Sequence, residues 1–495
     1  MVTEDKIFKL KSGTDVRGVA VQTETEEIEL TDEVVEKICI AFAKWIKVKE
    51  NKENIKISVG HDSRISADRI KAAAINAFKK EGLTVYDFGL ASTPSMFMSI
   101  VLDIKVDCAL EITASHHPYQ RNGLKFFTRE GGLESAQLSE ILNIAVEAES
   151  KNLCGTVIEY DFMHVYCKHL RDVIIKEVNC GEKPLAGLKI AVDAGNGVGG
   201  FYAHNVLQPL GADVSGSQFT EPDGMFPNHI PNPENKEAIE AACDMVKKSK
   251  SDFGLIFDTD VDRMGCVSAK GEEINRNRLV ALASVIALEN NKGATIVTDS
   301  LTSDGLRKFI ETDLGGKQLR FKRGYKNVID KSIELNKAGI NSTLAIETSG
   351  HAALKENYFL DDGAYLATKI VILLAKLHKE GKSIDELISS LDEPAESVEV
   401  RIPIMLDDFR AYGECVINKL TAYAESRDGW EVEKENYEGV RINVENGWFL
   451  LRLSVHDPIL PLNIENDEFG VCDEIEKELK LFFSDFDKLD LRNFK

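Results

Sequence analysis

The residues best suited to chemistry lie in the stretch Glu111-Ile-Thr-Ala-Ser-His-His-Pro118. An apolar run that begins at Val106 leads into this stretch, and such a run predicts a buried strand. Ala114 and Ser115 then leave the predicted sheet, and Pro118 blocks its continuation. A serine at such a bend, followed by two imidazoles, is placed as a nucleophile that a nearby base or cation must activate. The competing interpretation is an ordinary polar loop with local hydrogen bonds.

A second candidate is the acidic loop Asp258-Thr-Asp-Val-Asp-Arg263, which directly follows the apolar run Gly254–Phe257. The carboxylates of Asp258, Asp260 and Asp262 repel one another unless a cation lies among them. Hard oxygen ligands on a tight loop suit Mg²⁺. Open α/β sheets bind their ligands at the C-terminal ends of strands, which is where this loop is predicted. Arg263 beside the acids is suited to a phosphate. A solvated acidic turn is the competing interpretation.

Two polar loops in the third quarter of the chain are suited to a sugar phosphate. In Ile346-Glu-Thr-Ser-Gly-His351, Glu347 and Ser349 can hold sugar hydroxyls, and His351 can shuttle a proton. Arg323-Gly-Tyr-Lys326 adds a basic loop. Taken singly, each of these stretches fits an ordinary surface loop.

Two further stretches carry candidate anion ligands. In Arg452-Leu-Ser-Val-His-Asp457, the side chains of Arg452, Ser454 and His456 alternate, so one face of an extended strand end can form a phosphate seat. Near the N-terminus, Arg17 lies in a glycine-bounded turn and can contact a phosphate. A surface turn and a surface strand end are the competing interpretations.

Strands and helices alternate through most of the chain, which predicts α/β units with parallel strands and helical crossovers. The predicted strands are Ile55–Val59, Leu83–Phe88, Leu188–Val192, Phe253–Phe257, Ala294–Thr298 and Thr343–Ile346, and the predicted helices include Thr31–Lys49, Ser66–Lys80 and Ser303–Ile310. Three successive units of about a hundred residues indicate a repeated architecture. The last hundred residues differ, because strands at Val398–Pro403, Trp430–Val432, Val440–Val444 and Phe449–Ser454 stand between helices at Asp407–Glu425 and Glu468–Phe483. This segment is predicted to be α+β with antiparallel strands.

Composition excludes several classes of function. The net charge of −22 disfavours nucleic acid as a partner, and no apolar run is long enough to cross a membrane. Nine cysteines without a Cys-x-x-Cys pair, and an acidic N-terminus without an apolar signal core, predict a cytoplasmic protein with reduced thiols. The glycines of Asp193-Ala-Gly-Asn-Gly-Val-Gly-Gly200 lack the G-x-G-x-x-G spacing, which argues against NAD.

Taken together and in order, these loops resemble the α-D-phosphohexomutase superfamily, in its phosphomannomutase/phosphoglucomutase branch. The resemblance covers the whole chain. It is carried by Ser12-Gly-Thr-Asp-Val-Arg-Gly18, Asp62-Ser-Arg64, Thr113-Ala-Ser-His-His-Pro118, Asn122-Gly-Leu-Lys125, Pro222-Asp-Gly-Met-Phe-Pro227, Asp258-x-Asp-x-Asp-Arg263 and Glu347-x-Ser-Gly-His351.

The resemblance implies three α/β mixed-sheet domains and a C-terminal α+β domain around a central cleft. The expected domains are 1–165 with the phosphoserine loop, 166–275 with the metal loop, 276–393 with the sugar loop and 394–495 with a phosphate loop. It also implies interconversion of hexose 1-phosphate and hexose 6-phosphate, of glucose or mannose, through a phosphorylated Ser115 and a hexose 1,6-bisphosphate. The chain is expected to work as a monomer or homodimer.

The resemblance also assigns roles to the residues. One Mg²⁺ per chain is expected on Ser115, Asp258, Asp260 and Asp262. Arg263 would offset charge, Lys125 and His351 would act as acid and base, and Arg17 and His116 would support the phosphoserine. Substrate ligands are expected at Arg17, Arg323, Lys326, Glu347, Ser349, Arg452, Ser454 and His456.

Two departures from the family pattern keep alternatives open. The last loop usually reads Arg-x-Ser-Gly-Thr-Glu-Pro with a further arginine, but here Pro461 stands at the position of that arginine, which bears on phosphate affinity. Thr348 matches neither the methionine common in glucose and mannose enzymes nor the glutamine of glucosamine enzymes. A phosphoglucosamine mutase and a non-catalytic sugar-phosphate-binding relative are therefore alternatives. Asp258-Thr-Asp-Val261, with Asp361-Asp362, also fits a haloacid-dehalogenase-type phosphatase.

Overall fold

The structure, a computed structural model, describes residues 3–454 and 457–494. The chain divides into two compact units. The first unit contains the residues up to Asn275 together with Ser349–Glu386, and the second unit contains Arg276–Thr348 together with the residues from Leu387 onward.

The first sheet lies in the first unit and has eight strands. They are β1 (Lys11–Ser12), β2 (Asp15–Val19), β3 (Lys56–His61), β4 (Thr84–Leu90), β5 (Cys108–Ile112), β6 (Arg121–Thr128), β7 (Gly131–Gly132) and β8 (Thr156–Glu159). The strand order is β1-β2-β6-β5-β3-β4-β8, and β7 pairs with β6. Strand β3 runs parallel to β4 and β5, whereas β6 runs antiparallel to β5 and β2. Because β3 and β5 end at the same edge of the sheet, the loops 62–64 and 113–118 emerge side by side.

The described residues up to Val178 form six α-helices: α1 (Glu4–Phe8), α2 (Asp32–Glu50), α3 (Ala67–Lys80), α4 (Thr93–Val101), α5 (Ser135–Val146) and α6 (Phe162–Val178). Helix α2 begins where the Thr31 side chain accepts a hydrogen bond from the backbone N–H of Val34, which caps the helix. Its apolar face packs on the sheet, and the ring of Phe42 stacks on Phe126 of β6 at 4.3 Å between centroids. This contact joins α2 to the strand that carries Lys125.

The second sheet combines one parallel and two antiparallel pairings. Its strands are β9 (Ile190–Asp193), β10 (Phe253–Phe257), β11 (Met264–Ser268) and β12 (Glu273–Ile274), and helix α7 (Lys236–Ser249) packs on β9 and β10. After the glycine-rich turn Asp193–Gly200, the chain forms a π-helix at Tyr202–Leu207 and a 3₁₀ turn at Gln208–Leu210. Strand β10 ends directly at the acidic loop.

A third group of elements follows in chain order. These are α8 (Asn277–Leu288), β13 (Thr295–Thr298), α9 (Asp304–Lys308), a π-helix (Phe309–Asp313), β14 (Lys317–Arg320), α10 (Tyr325–Lys337), β15 (Ser342–Ile346), β16 (Ala352–Leu354), a 3₁₀ turn (Lys355–Asn357), α11 (Gly363–Glu380) and a 3₁₀ turn (Ile384–Ile388). In the second unit, β13 lies between β14 and β15 and is parallel to both.

The C-terminal segment is an antiparallel sheet with two helices. Its elements are β17 (Glu396–Pro403), α12 (Arg410–Glu425), β18 (Glu431–Val432), β19 (Val440–Val444), β20 (Gly447–Leu451), β21 (Ile459–Asn466) and α13 (Val471–Phe483), with strand order β17-β21-β20-β19-β18. The predicted fold class, three mixed α/β sheets followed by an α+β segment, is confirmed.

Three local expectations were wrong. Arg17 lies on β2 rather than in a turn, Lys125 lies on β6 rather than in a loop, and β20 ends at Leu451, before Arg452 and Ser454. No helix in the described part of the chain has the length and apolar character that a membrane crossing requires.

Candidate active site

The loop after β5, residues 113–118, is called the serine loop, and it presents Ser115 in an unusual backbone conformation. Ser115 has φ of +51°, in the left-handed region that residues with a side chain rarely adopt. Its N–H donates to Thr113 Oγ1 at 2.9 Å, which closes a tight turn. Ser115 is 6% exposed, so its hydroxyl lies at the wall of the site rather than on the open surface.

The acidic loop meets this serine within the first unit. Ser115 Oγ donates to Asp258 Oδ2 at 3.2 Å. The Arg263 guanidinium joins the two loops, because its Nε donates to Asp258 Oδ2 at 3.0 Å and one terminal nitrogen donates to Ser115 Oγ at 3.2 Å. The Ser115 hydroxyl, the Asp258 carboxylate and the Arg263 guanidinium therefore contact one another in a buried cluster.

His116 completes this contact as a neutral imidazole. Its Nδ1 lies 2.6 Å from the Arg263 guanidinium, which can only donate, so Nδ1 is the acceptor and carries no proton. Burial and the positive charge of Arg263 lower the pKa of His116 to about 2. The Ser115 hydroxyl lies 3.2 Å from the same nitrogen.

The three carboxylates of the acidic loop are all buried, and one oxygen from each lies within 4.8 Å of one oxygen from each of the other two. Burial, followed by the neighbouring Asp262 and Asp260, raises the pKa of Asp258 well above its ordinary value. Burial and Asp262 raise the pKa of Asp260 to about 6. Among the residues that the structure describes, Asp260 Oδ1 and Asp262 Oδ1 have no hydrogen-bond partner. Buried, converging carboxylate oxygens without donors are the environment that a hard divalent cation requires.

Lys125 and His351 lie near different oxygens of the Asp262 carboxylate. Lys125 Nζ donates to Asp262 Oδ2 at 2.8 Å, and His351 Nδ1 lies 4.0 Å from Asp262 Oδ1. His351 Nδ1 also lies 2.7 Å from Asp361 Oδ2. Burial alone would lower the pKa of His351, but the Asp361 and Asp262 carboxylates outweigh it and raise the pKa to about 9. Both candidates for proton transfer therefore border the acidic loop.

Two more predicted residues of the first unit lie in distinct surroundings. Arg17 on β2 pairs with Asp15 at 3.1 Å, and its positive charge contributes to lowering the pKa of His117, to about 3, after burial. Ser349 is buried, and its Oγ has no hydrogen-bond partner among the described residues. Arg17 thus supplies positive potential beside the serine loop, and Ser349 offers an unused hydroxyl.

The second unit brings another part of the predicted set together around Glu438. Glu438 Oε2 accepts from the backbone N–H of Arg323 at 3.0 Å, and Oε1 lies 4.0 Å from the Arg452 guanidinium. Glu347 Oε1 accepts from the N–H of Gly324 at 2.5 Å. Within this unit, Glu347 therefore bonds the backbone at Gly324, and Glu438 lies between the neighbouring Arg323 backbone and the Arg452 side chain.

Of the remaining predicted ligands, two make contacts with residues nearby in the sequence and one lies outside the described residues. Lys326 Nζ pairs with Asp330 one turn along α10, at 2.5 Å. Ser454 Oγ accepts from the N–H of Asp457 at 3.2 Å. His456 lies outside the described residues.

Sequence reasoning missed three residues that hold the site. Arg64 contacts the backbone of the serine loop, Thr93 Oγ1 donates to Asp260 Oδ2 at 2.5 Å, and Glu438 joins two loops of the second unit. In the sequence, Arg64 was marked only by the motif Asp62-Ser-Arg64, three residues after the end of β3. Thr93 and Glu438 carried no signal, because their partners are distant in the sequence.

Three family models match successive parts of the chain. They describe phosphoglucomutase/phosphomannomutase alpha/beta/alpha domain I at residues 9–152, domain II at residues 164–271 and domain III at residues 275–393. The acidic loop thus falls in the second matched segment and the serine loop in the first.

Individual relatives give the same result over nearly the whole length. A phosphomannomutase/phosphoglucomutase of Pseudomonas putida is 30% identical, covering 83% of each chain, and a phosphoglucomutase of Neisseria gonorrhoeae is 30% identical, covering 97% of this chain and 96% of the relative. The crystal structure of a phosphoglucomutase/phosphomannomutase family protein from Burkholderia thailandensis superposes with a TM-score of 0.80 at 26% identity, covering 98% of both chains. The open form of parafusin, a phosphoglucomutase from Paramecium, shares the fold, with a TM-score of 0.68 at 15% identity over 96% and 94% of the chains.

Proposed function

The chain belongs to the phosphoglucomutase/phosphomannomutase family, within the α-D-phosphohexomutase superfamily, and is a mutase; we propose that it interconverts the 1- and 6-phosphates of glucose, mannose or both. The relatives named above carry both substrate names, which supports this pair of hexoses. Family membership favours the mutase over the phosphatase alternative. A cytoplasmic location and a monomeric or homodimeric state stay predictions.

The observation that carries the proposal is the meeting of Ser115, Asp258 and Arg263. A phosphoryl group on Ser115 Oγ would lie against the Arg263 guanidinium. The Asp258 carboxylate holds this guanidinium in place, since Oδ2 accepts a hydrogen bond from Arg263 Nε at 3.0 Å. Fixed positive charge at the transferring group is the main protein contribution to phosphoryl transfer. Arg263 is buried, so this charge acts with little screening by solvent.

In the proposed reaction, one phosphoryl group is transferred from Ser115 to the sugar, and a second is transferred from the sugar to Ser115. The Ser115 Oγ–P bond breaks while the free hydroxyl of a hexose monophosphate bonds to the same phosphorus and loses its proton, and Ser115 Oγ takes up a proton. In the hexose 1,6-bisphosphate so formed, the bond from the other phosphorus to its sugar oxygen then breaks as that phosphorus bonds to Ser115 Oγ. Ser115 Oγ loses its proton in this step, and the freed sugar oxygen gains one. We assign these proton transfers to Lys125 and His351, which border Asp262 at 2.8 Å and 4.0 Å.

The acidic loop fits the Mg²⁺ that the family resemblance implies. Ser115, Asp258, Asp260 and Asp262 would hold it, and the two carboxylate oxygens without donors support this assignment. When bound, the ion offsets negative charge on the transferring phosphoryl group.

In the second unit, we propose that the loops around Glu438 bind the phosphate and hydroxyl groups that do not react. Arg452 and the backbone of Arg323 already flank one carboxylate, Glu438, which supports an anion-binding role. Arg452 Nε is buried without a partner among the described residues, so a donor is available. Lys326, Glu347, Ser454 and His456 are the other ligands proposed in this unit, and Ser349 is proposed as a ligand in the first unit.

The test is a coupled assay that follows glucose 6-phosphate formed from glucose 1-phosphate, primed with glucose 1,6-bisphosphate. Ser115→Ala is expected to abolish turnover while thermal unfolding stays unchanged, because the hydroxyl is the acceptor of the phosphoryl group. Ser284→Ala is the matched control, since among the described residues that buried hydroxyl bonds only the carbonyl of Val280, at 2.7 Å. Substantial turnover by Ser115→Ala would contradict the proposal. Parallel rates with mannose and N-acetylglucosamine 1-phosphates identify the preferred hexose.

A further inference from the structure

Arg64 lies beneath the serine loop with every N–H of its guanidinium bonded. Nε donates to Asp62 Oδ2 at 3.1 Å. One terminal nitrogen donates to the carbonyls of Pro118 and Arg121, at 2.7 and 2.9 Å. The other donates to the carbonyls of Ser115 and His117, at 2.5 and 2.6 Å. A guanidinium has five donors, and all of them are used here.

These bonds account for the shape of the serine loop. Four carbonyls from one short segment point at a single buried cation, which turns the backbone inward. The Ser115 side chain is therefore directed away from Arg64 and toward Asp258, 3.2 Å from its oxygen. The positive φ of Ser115 is a strained conformation, and such strain persists only when surrounding contacts fix it.

Arg64 is itself held rigidly. Asp62 binds it twice, since Oδ1 accepts the Arg64 backbone N–H at 2.9 Å while Oδ2 accepts Nε. The ring of Phe226 lies 5.2 Å from the guanidinium carbon. A side chain at Gly224 would collide with the carbonyl of Ser63, 2.3 Å away, so glycine permits the 222–227 turn to pack here. The turn therefore packs directly against Arg64 and the residues beside it.

We propose that Arg64, braced by Asp62 and the 222–227 turn, positions Ser115 for phosphoryl transfer. Arg64 is a positioning residue, because it touches the backbone of the loop and not the reacting oxygen. This inference rests on the proposed function of Ser115. It also assigns a role to the Pro222–Pro227 stretch, which would hold Arg64 and thereby keep the serine loop close to the acidic loop.

The test replaces Arg64 by lysine, which keeps the charge but offers only three donors on one nitrogen. We expect kcat of Arg64→Lys to fall about 100-fold, since misplacement of a nucleophile by about 1 Å costs this much, while KM for glucose 1-phosphate stays within about twofold. Hydrogen exchange of peptides spanning 113–121 should be faster than in the wild type. Full kcat, or unchanged exchange in 113–121, would overturn the proposal.

Arg69→Lys is the matched control. Arg69 also donates to two backbone carbonyls, of Ala20 and Leu30, at 2.9 and 3.0 Å. Its replacement should leave kcat and the exchange of 113–121 unchanged. A loss of kcat equal to that of Arg64→Lys would show a general effect of losing such an arginine and would overturn the positioning role.

A second variant covers the case in which Arg64→Lys does not fold. Asp62→Asn keeps the guanidinium and weakens its anchor, so we expect the same selective loss of kcat to a smaller extent; full kcat would overturn the proposal. If the wild type itself shows no mutase turnover, the proposed function fails, and the exchange rates of 113–121 alone decide whether Arg64 fixes the loop.

Discussion

Replacing Asp260 by asparagine should stabilise the metal-free protein while removing its response to Mg²⁺. Asp258 and Asp262 have direct cationic partners, Arg263 and Lys125, at 3.0 and 2.8 Å. Within the described residues, Asp260 has no salt bridge and accepts only from the Thr93 hydroxyl, a bond that asparagine can keep. An unpaired buried carboxylate opposes folding unless a cation binds it.

The magnitude follows from the pKa of Asp260, which burial and Asp262 raise from the ordinary 3.8 to about 6. That difference corresponds to about 3 kcal/mol at most, so we expect a gain of about 1–3 kcal/mol in the free energy of unfolding near pH 8. The sign follows because the folded state holds the proton more tightly than the unfolded state. The penalty on the wild type therefore grows as the pH rises from 3.8 through about 6. Near pH 5 the gain should fall to roughly half.

The assay is urea unfolding in EDTA and in excess MgCl₂. Wild-type protein should be stabilised by Mg²⁺, by about 2.7 kcal/mol at a hundred times Kd, whereas Asp260→Asn should show little change. Asp107→Asn is the control, because Asp107 is buried but paired with Lys52 at 2.6 Å and should lose stability instead. An Asp260→Asn protein less stable than wild type in EDTA near pH 8, or equally stabilised by Mg²⁺, would refute the reasoning.

Two further predictions concern stability. Burial lowers the pKa of His229, but Asp193, whose two carboxylate oxygens both lie 3.1 Å from His229 Nε2, raises this pKa by more. The pair therefore stabilises the folded protein fully below pH 6.5, the ordinary pKa of histidine, and this stabilisation is lost as the pH rises through the raised pKa. His229→Gln should therefore cost more near pH 5.5 than near pH 9 in urea unfolding, and an equal cost would contradict the assignment. Phe126→Ala removes a ring that is 1% exposed and stacks on Phe42, so it should cost about 3–5 kcal/mol, seen as a lower urea midpoint; a loss below about 1 kcal/mol would contradict the packing.

The strand before the acidic loop was predictable because the local pattern and the tertiary structure agree. Phe253–Phe257 is an uninterrupted apolar run ended by Asp258, and it forms β10 over the same residues. The meeting of the serine with the acidic loop was expected only from the family resemblance, which assigned Ser115, Asp258, Asp260 and Asp262 to one Mg²⁺. Strand ends of α/β units predict where ligand loops lie, but not which loops of different sheets meet.

Strand β6 was missed because its sequence argues for a loop. Arg121-Asn-Gly-Leu-Lys125 contains residues that disfavour strands, so local propensity gives the wrong answer. A Cβ at Gly123 would stand 2.3 Å from the carbonyl of Val16 and 2.6 Å from that of Thr113. Glycine there lets β2 and the serine loop approach closely, and that tertiary requirement is invisible in a local window. The place of Lys125 beside Asp262 follows from it.

Arg64 illustrates a second limit of sequence reasoning. Its partners are mostly backbone carbonyls, which every residue has, so no side-chain pattern marks them. Glu438 is similar, because it reaches Arg323 across 115 positions of sequence. Side chains that perform chemistry have characteristic types, whereas those that hold a backbone in place are recognised only once the fold is known.

The most direct test of the central claim is the location of the phosphate. The protein is incubated with glucose 1,6-bisphosphate, quenched in acid, digested and analysed by mass spectrometry. Ser115 as the phosphoryl carrier predicts one acid-stable phosphate, located on Ser115 and absent from Ser115→Ala. A phosphate that is lost in acid and traced to Asp258, or an unlabelled Ser115 in protein that turns over substrate, would contradict it.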